Sequence, residues 1–172
     1  FMSKLQLIYF NLRALCEAPR MMLHTADIEY SYEMAWDYFK KPWGDVKKEV
    51  IFHKLPLLVI DEKIEIWQSN TISRYIAKLT NNIPNNEEMV AYADSIFESA
   101  HDLFFPLNPT INVWVGEMHL KNKKNLLDEI LPKAFTNFEK LLSKHEGNFF
   151  LGKRAYYYDF NVYHHVSLAL LL

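Results

Sequence analysis

The chain has 172 residues, half of them hydrophobic and 15% aromatic, enough to bury a sizeable core in one domain or two small ones. A formal charge of −2 gives no electrostatic reason to expect a nucleic acid or an anionic membrane as partner. Its one cysteine, Cys16, excludes an internal disulfide and points to a reducing compartment, the cytosol. No apolar run approaches the ~20 residues that span a bilayer, so no membrane association is expected.

Leu5 to Phe10 (LQLIYF) reads as a short strand. Leu15 to Ala26 follows as a helix, with Leu15, Met22, Leu23 and Ala26 near helical spacing and Pro19 tolerable only in or near its first turn. Tyr30 to Met34 reads as a second strand, and Trp36 to Phe52 as loop with a short helix around Pro42 and Gly44. A hairpin comes next: Leu57 to Ile60, a turn at Asp61-Glu62-Lys63, then Ile64 to Trp67. Ser69 is placed to cap a helix running to Leu79, with Ile72, Ile76 and Leu79 on one face. The Asn-rich stretch 80–88 lacks periodicity and reads as a linker. Beyond it, Met89 to Val113, Lys123 to His145 and Tyr158 to Leu172 read as helices, separated by GEMHLKN and by EGNFFLGKRAY. The fold class is therefore α/β followed by all-α, in the order β-α-β-β-β-α and then a helical bundle, with domains at 2–79 and 89–172.

Two features of residues 54–70 carry chemistry. Proline cannot donate to a strand ladder, and X-Pro is the common source of cis peptides, so Leu55-Pro56 is either a plain strand start or a turn that leaves the Leu55 main chain open to an extended peptide. Ser69 is either only a cap or, with Gln68, a carboxylate site at a helix N-terminus. Together the two describe a pocket for a short peptide with a free carboxylate. Other constellations are weaker. Glu98, His101 and Asp102 share a helix face at metal-ligand spacing but read more simply as a solvated or subunit-facing patch, so no metal is assigned. Cys16 near a helix start suggests a thiol transferase, against which stands the lack of a second cysteine.

The runs YFNLRALCEAPR (9–20), WGDVK (43–47), HKLPLLVID (53–61) and WQSNTISRYIAK (67–78) resemble, in order and spacing, the cytosolic glutathione transferases of the sigma class, a group that includes haematopoietic-type prostaglandin D synthases and S-crystallins. The resemblance implies a thioredoxin-like first domain and a helical second one. It implies glutathione as co-substrate, a small hydrophobic electrophile and a homodimer. Tyr9 then matches the catalytic tyrosine. Trp43, Lys47 and Lys54 match contacts to the glycyl end of glutathione, Leu55 with Pro56 the main-chain contact to its cysteinyl unit, and Gln68 with Ser69 the holders of its γ-glutamyl carboxylate. Asp102 matches an aspartate that reaches the γ-glutamyl ammonium of the neighbouring subunit. Phe10, Leu15, Phe104 and Phe105 fall on the electrophile side.

The departures are specific. Leu15 stands where many sigma enzymes carry an arginine, and Tyr156 stands where a Ser or Thr usually opens a capping box ending at Asp159, so that cap is expected to be lost. Family members continue beyond the helix that ends here in LALLL, so a truncated chain is expected. Two functions follow from the resemblance: glutathione conjugation, with isomerisation or peroxide reduction as variants, or a non-enzymatic S-crystallin-like relative. Retention of the glutathione-site set favours the enzyme.

Overall fold

The computed structural model describes residues 3–172, which divide into two compact units, one ending at Asn82 and the other spanning Ile83–Leu172. In the first unit, strand β1 (Leu5–Tyr9) buries every residue but Gln6 and lies in the middle of a four-stranded sheet of order β2-β1-β3-β4. β2 (Ser31–Met34) runs parallel to it, while β3 (Leu57–Ile60) and β4 (Ile64–Trp67) form an antiparallel hairpin on its other side. All four residues of β3 are buried, the continuous apolar run of a strand covered on both faces. The hairpin turn holds Asp61 and Glu62 at φ of 52° and 58°, the double left-handed geometry that follows the twist of a hairpin. Asp61 also accepts the Lys4 N–H at 2.8 Å, tying the turn to the start of β1.

A 3₁₀ turn (Ala14–Cys16) leads into α1 (Glu17–Thr25), whose third residue is Pro19, where a missing N–H forfeits no helical bond. Met22 and Leu23 of α1 and Ile72 and Ile76 of α4 (Ser69–Leu79) are fully buried, and the two helices pack against each other. Each such side chain contributes about 1.5–3 kcal/mol on leaving water. The segment expected to be loop with one short helix contains two, α2 (Ala35–Phe39) and α3 (Trp43–Val46), and a 3₁₀ turn at Ile51–His53.

Ser69 is not the cap of α4 but its first residue. Gln68 occupies the cap position at φ 70° and ψ 121°, with no side chain bonded to the exposed amides. The chain must turn from β4 into α4 within one residue, and Gln68 takes up that turn in a conformation that non-glycine residues rarely adopt.

In the second unit α5 (Glu87–Asn112) starts at an Asn86 cap, whose side chain accepts the Met89 N–H at 2.9 Å. It continues through Pro106 and Pro109. The GEMHLKN stretch, expected as a connector, is the start of α6 (Gly116–Asn125), which passes through a π-type turn (Leu126–Ile130) into α7 (Leu131–Leu142). α6 buries none of its residues, so it has no apolar stripe for periodicity to reveal. Gly147 closes the loop that follows: at φ 134°, a Cβ there would stand 2.2 Å from the Gly152 carbonyl oxygen.

α8 (Tyr157–Ala169) packs along α5. The expected loss of its cap does not occur, because Asp159 accepts the N–H of Tyr156 at 2.9 Å and of Phe150 at 3.0 Å. The carboxylate half of the box is in place although Tyr156 stands where a Ser or Thr usually opens it. Between the helices Tyr157 donates to Asp94 at 2.8 Å, and the Asn161 amide donates to the Phe97 carbonyl at 3.1 Å. Among the described residues no helix is long and apolar enough to cross a membrane.

His165 lies in this same core at 1% exposure, with neither ring nitrogen hydrogen-bonded among the described residues. Burial, and then the nearby His164 and His101 rings, pull its pKa down to about 3. An unfolded histidine titrates near 6.5, so on acidification the unfolded chain binds the proton first and stability falls with pH through that window. Urea unfolding should therefore report a loss of about 2 kcal/mol between pH 7 and pH 5 from this group, absent in His165→Leu. Equal pH dependence in the two proteins would refute the burial account. At Gln68 the backbone makes a separate prediction: Gln68→Gly keeps the melting temperature, whereas Gln68→Val, β-branched at positive φ, loses about 1–2 kcal/mol.

Candidate functional site

Register gathers the sequence-predicted residues of the first unit at one end of its sheet. Ile8 lies opposite Leu57, and Leu57 opposite Trp67. Tyr9 at the end of β1, Leu55-Pro56 just before β3 and Gln68-Ser69 just after β4 therefore leave the sheet at the same end. The same end receives Met34 of β2, paired with Tyr9, from which the chain enters α2 and α3.

Tyr9 is 5% exposed. Burial first, and then the neighbouring Cys16, push its phenol up to about 12, while a hydrogen bond from the Leu15 backbone acts in the opposite direction. The group is thus a protonated donor throughout the neutral range. Its ring lies 5.2 Å from that of Phe10, which meets Trp43 edge-on at 5.6 Å; Trp43 in turn lies 6.3 Å from Phe39. An aromatic wall therefore runs from Tyr9 to the first residue of α3.

Lys47 directly follows α3 and is exposed, as is Lys54. The Lys47 carbonyl accepts from the His53 ring at 2.9 Å, which links the two lysine-bearing segments. Between them Phe52 and His53 are held at φ 63° and 52°. The Leu55-Pro56 peptide bond is cis, as its sequence allowed, and the Leu55 main chain has no hydrogen-bond partner among the described residues. The Ser69 hydroxyl likewise has none, and Ser69 stands at the positive end of the α4 dipole. The arrangement offers two cations, an unpaired extended backbone, a helix N-terminus and one buried phenol donor. Such a set suits a short peptide carrying carboxylates.

The remaining predicted residues belong to the second unit. Asp102 is exposed on α5. Phe104 is buried there and stacks with His101 at 6.1 Å, while Phe105 is 63% exposed. His101 makes ring contacts with Phe104, Phe105 and His165, and among the described residues no group of three or more His, Cys, Asp or Glu is placed to hold a metal. Leu15 and Cys16 sit in the turn between β1 and α1, Leu15 half-buried and Cys16 fully buried. Sequence reading missed Tyr32 on β2, whose hydroxyl donates to the Phe10 carbonyl at 2.7 Å. No local signal marks it, since the contact joins residues 22 apart.

Residues 5–78 match the glutathione S-transferase N-terminal domain and residues 101–171 the glutathione S-transferase C-terminal domain. Glutathione S-transferase Mu 3 of Homo sapiens is 33% identical over 168 residues, covering 94% of this chain and 72% of its own. Glutathione S-transferase P 10 of Caenorhabditis elegans is 26% identical over 172 residues, covering 96% and 79%. The solved structure of a Pi-class glutathione S-transferase from Onchocerca volvulus superposes with a TM-score of 0.83 at 28% identity, covering 98% of this chain and 78% of that one. The four-stranded sheet with its flanking helices is accordingly the thioredoxin-like domain of that fold, and the chain belongs to the glutathione S-transferase family.

Proposed function

We propose that this protein conjugates glutathione to small hydrophobic electrophiles, with Tyr9 stabilising the thiolate that attacks. The observation that carries the reading is the Tyr9 phenol, buried at the open end of the sheet and held protonated by that burial. A hydrogen bond donated to sulfur favours thiolate over thiol, and an ordinary thiol near 8.5 is then ionised at lower pH. The thiolate supplies the electron pair for the new carbon–sulfur bond, and the electrophile's leaving group or π electrons accept the displaced pair.

The remaining roles are those that the family resemblance implies for the matching positions. Trp43, Lys47 and Lys54 hold the glycyl end, Lys47 by a charge-assisted bond to its carboxylate. Leu55, next to Pro56, pairs its main chain with the cysteinyl unit as a short added strand. Gln68 and Ser69 hold the γ-glutamyl carboxylate at the N-terminus of α4. Asp102 serves the neighbouring subunit of a homodimer, and Phe10, Leu15, Phe104 and Phe105 face the electrophile. Within the family the class is proposed as sigma on the run of motifs in the first unit, and the location as cytoplasmic. Leu15 in place of an arginine argues against prostaglandin isomerisation. Retention of Tyr9 with the full glutathione set argues against a purely structural relative.

Tyr9→Phe removes one charge-assisted bond of about 1.5–3 kcal/mol, so kcat with a generic aromatic electrophile falls roughly ten- to a hundredfold while KM for glutathione stays within about threefold. Undiminished turnover in Tyr9→Phe would falsify the reading. The rate should rise with pH through the titration of the bound thiol, and it should show no falling limb from Tyr9 below about pH 11. Lys47→Ala shows the complementary pattern, with KM for glutathione raised about tenfold and kcat kept.

A further inference from the structure

The turn that follows Tyr9 bears on its phenol, because the Leu15 backbone acts on that group against the upward pull of burial. That turn is unusual. Ala14, one residue before the donor, has φ 28°, outside the ordinary regions for a residue with a Cβ. Such a conformation persists only where the surroundings over-determine it. Within the turn the Phe10 carbonyl already accepts the Leu12 N–H at 2.7 Å. It accepts a second bond of 2.7 Å from the Tyr32 hydroxyl, which also lies 3.4 Å from the Leu12 carbonyl.

Tyr32 is well placed for this. It pairs with Leu7 on the parallel strand, so by the two-residue period its side chain shares a sheet face with Leu7 and Tyr9. Its ring is clamped from α1: the Arg20 guanidinium stands 4.5 Å above it, and Glu17 holds Arg20 at 3.1 Å. Burial raises the Tyr32 phenol beyond any working pH, so it stays a donor. A chain of contacts therefore runs from Glu17 through Arg20 and Tyr32 to the backbone of Phe10, the residue after Tyr9.

The geometry points to Tyr32 as a positioning residue for Tyr9: its hydroxyl fixes the Phe10–Leu12 turn, and thereby keeps the Leu15 amide on the phenol oxygen so that the Tyr9 hydroxyl hydrogen is aimed outward at the sulfur. Tyr32 touches neither substrate, and it acts only through Tyr9. The inference rests on the thiolate-stabilising role given to Tyr9 above.

The test is a double-mutant cycle on the full chain with glutathione and a generic aromatic electrophile. Tyr32→Phe removes one oxygen and leaves the ring under Arg20. It should lower kcat about five- to tenfold with KM for glutathione within twofold, and should raise the pKa of the bound thiol, read from thiolate absorbance in the binary complex. In the Tyr9→Phe background the same change should alter kcat by less than twofold, because the group it positions is gone. Arg20→Gln, which keeps the Tyr32 hydroxyl but frees its ring, should give a smaller loss in the same direction and serves if Tyr32→Phe folds poorly. An unchanged thiol pKa in Tyr32→Phe, or an equal loss in both backgrounds, overturns the positioning role while leaving Tyr9 as the donor. Full turnover in Tyr9→Phe alone overturns both.

Discussion

The antiparallel pairing of β1 with β3 is the constraint on which the first unit's chemistry depends. With Ile8 opposite Leu57 and Leu57 opposite Trp67, three chain segments that are far apart in sequence end their hydrogen-bonded ladders together. A slip of one residue in the β1–β3 pairing would turn Tyr9 to the opposite sheet face and carry the apolar residues of β1 and β3 out of register. The unpaired Leu55 backbone, the start of α4 and the buried phenol come to one end of the sheet because the ladders stop there.

Burial then sets the chemical state of the groups that the fold encloses. The same cause acts in opposite senses on different groups. It raises the Tyr9 phenol to about 12 and makes it a donor, and it lowers the His165 imidazole to about 3 and keeps it neutral. For Tyr9 the effect suits the donor role proposed for it. For His165, whose ring nitrogens lack partners among the described residues, it makes the α5–α8 core sensitive to acid. Asp159 shows the satisfied alternative: a carboxylate in the same unit, also shifted upward by burial, that uses its two oxygens on the amides of Phe150 and Tyr156.

Part of the backbone strain lies close in sequence to the predicted site residues. Ala14, Phe52, His53 and Gln68 all have positive φ without being glycine. Each lies within a few residues of a group assigned to glutathione or to its sulfur, and two of them are braced from elsewhere: His53 by its ring bond to the Lys47 carbonyl, the turn at Ala14 by Tyr32 and Arg20. Positions of this kind cost stability locally and persist because the surroundings hold them. Tyr32 is the clearest such brace in the first unit, since one hydroxyl from a neighbouring strand fixes the turn that completes the phenol.

Much of this was legible in the sequence because it depends on local chemistry. The alternation in LQLIY, the apolar run in LLVI, the Asp61-Glu62-Lys63 turn and the spacing of Ile72 and Ile76 each specify an element through a handful of adjacent residues. The motifs around Tyr9, Trp43, Leu55 and Gln68 named the family without coordinates. Only the tertiary structure decided the rest: that Gln68 rather than Ser69 turns the chain into α4, that the polar stretch 116–125 is helical, that Asp159 still caps α8 with Tyr156 at the head of the box, and that Tyr32 reaches Phe10. The reason is physical. Propensity and periodicity are sums over near neighbours, whereas burial, backbone strain and a hydrogen bond across two strands are set by residues that meet only once the chain has folded.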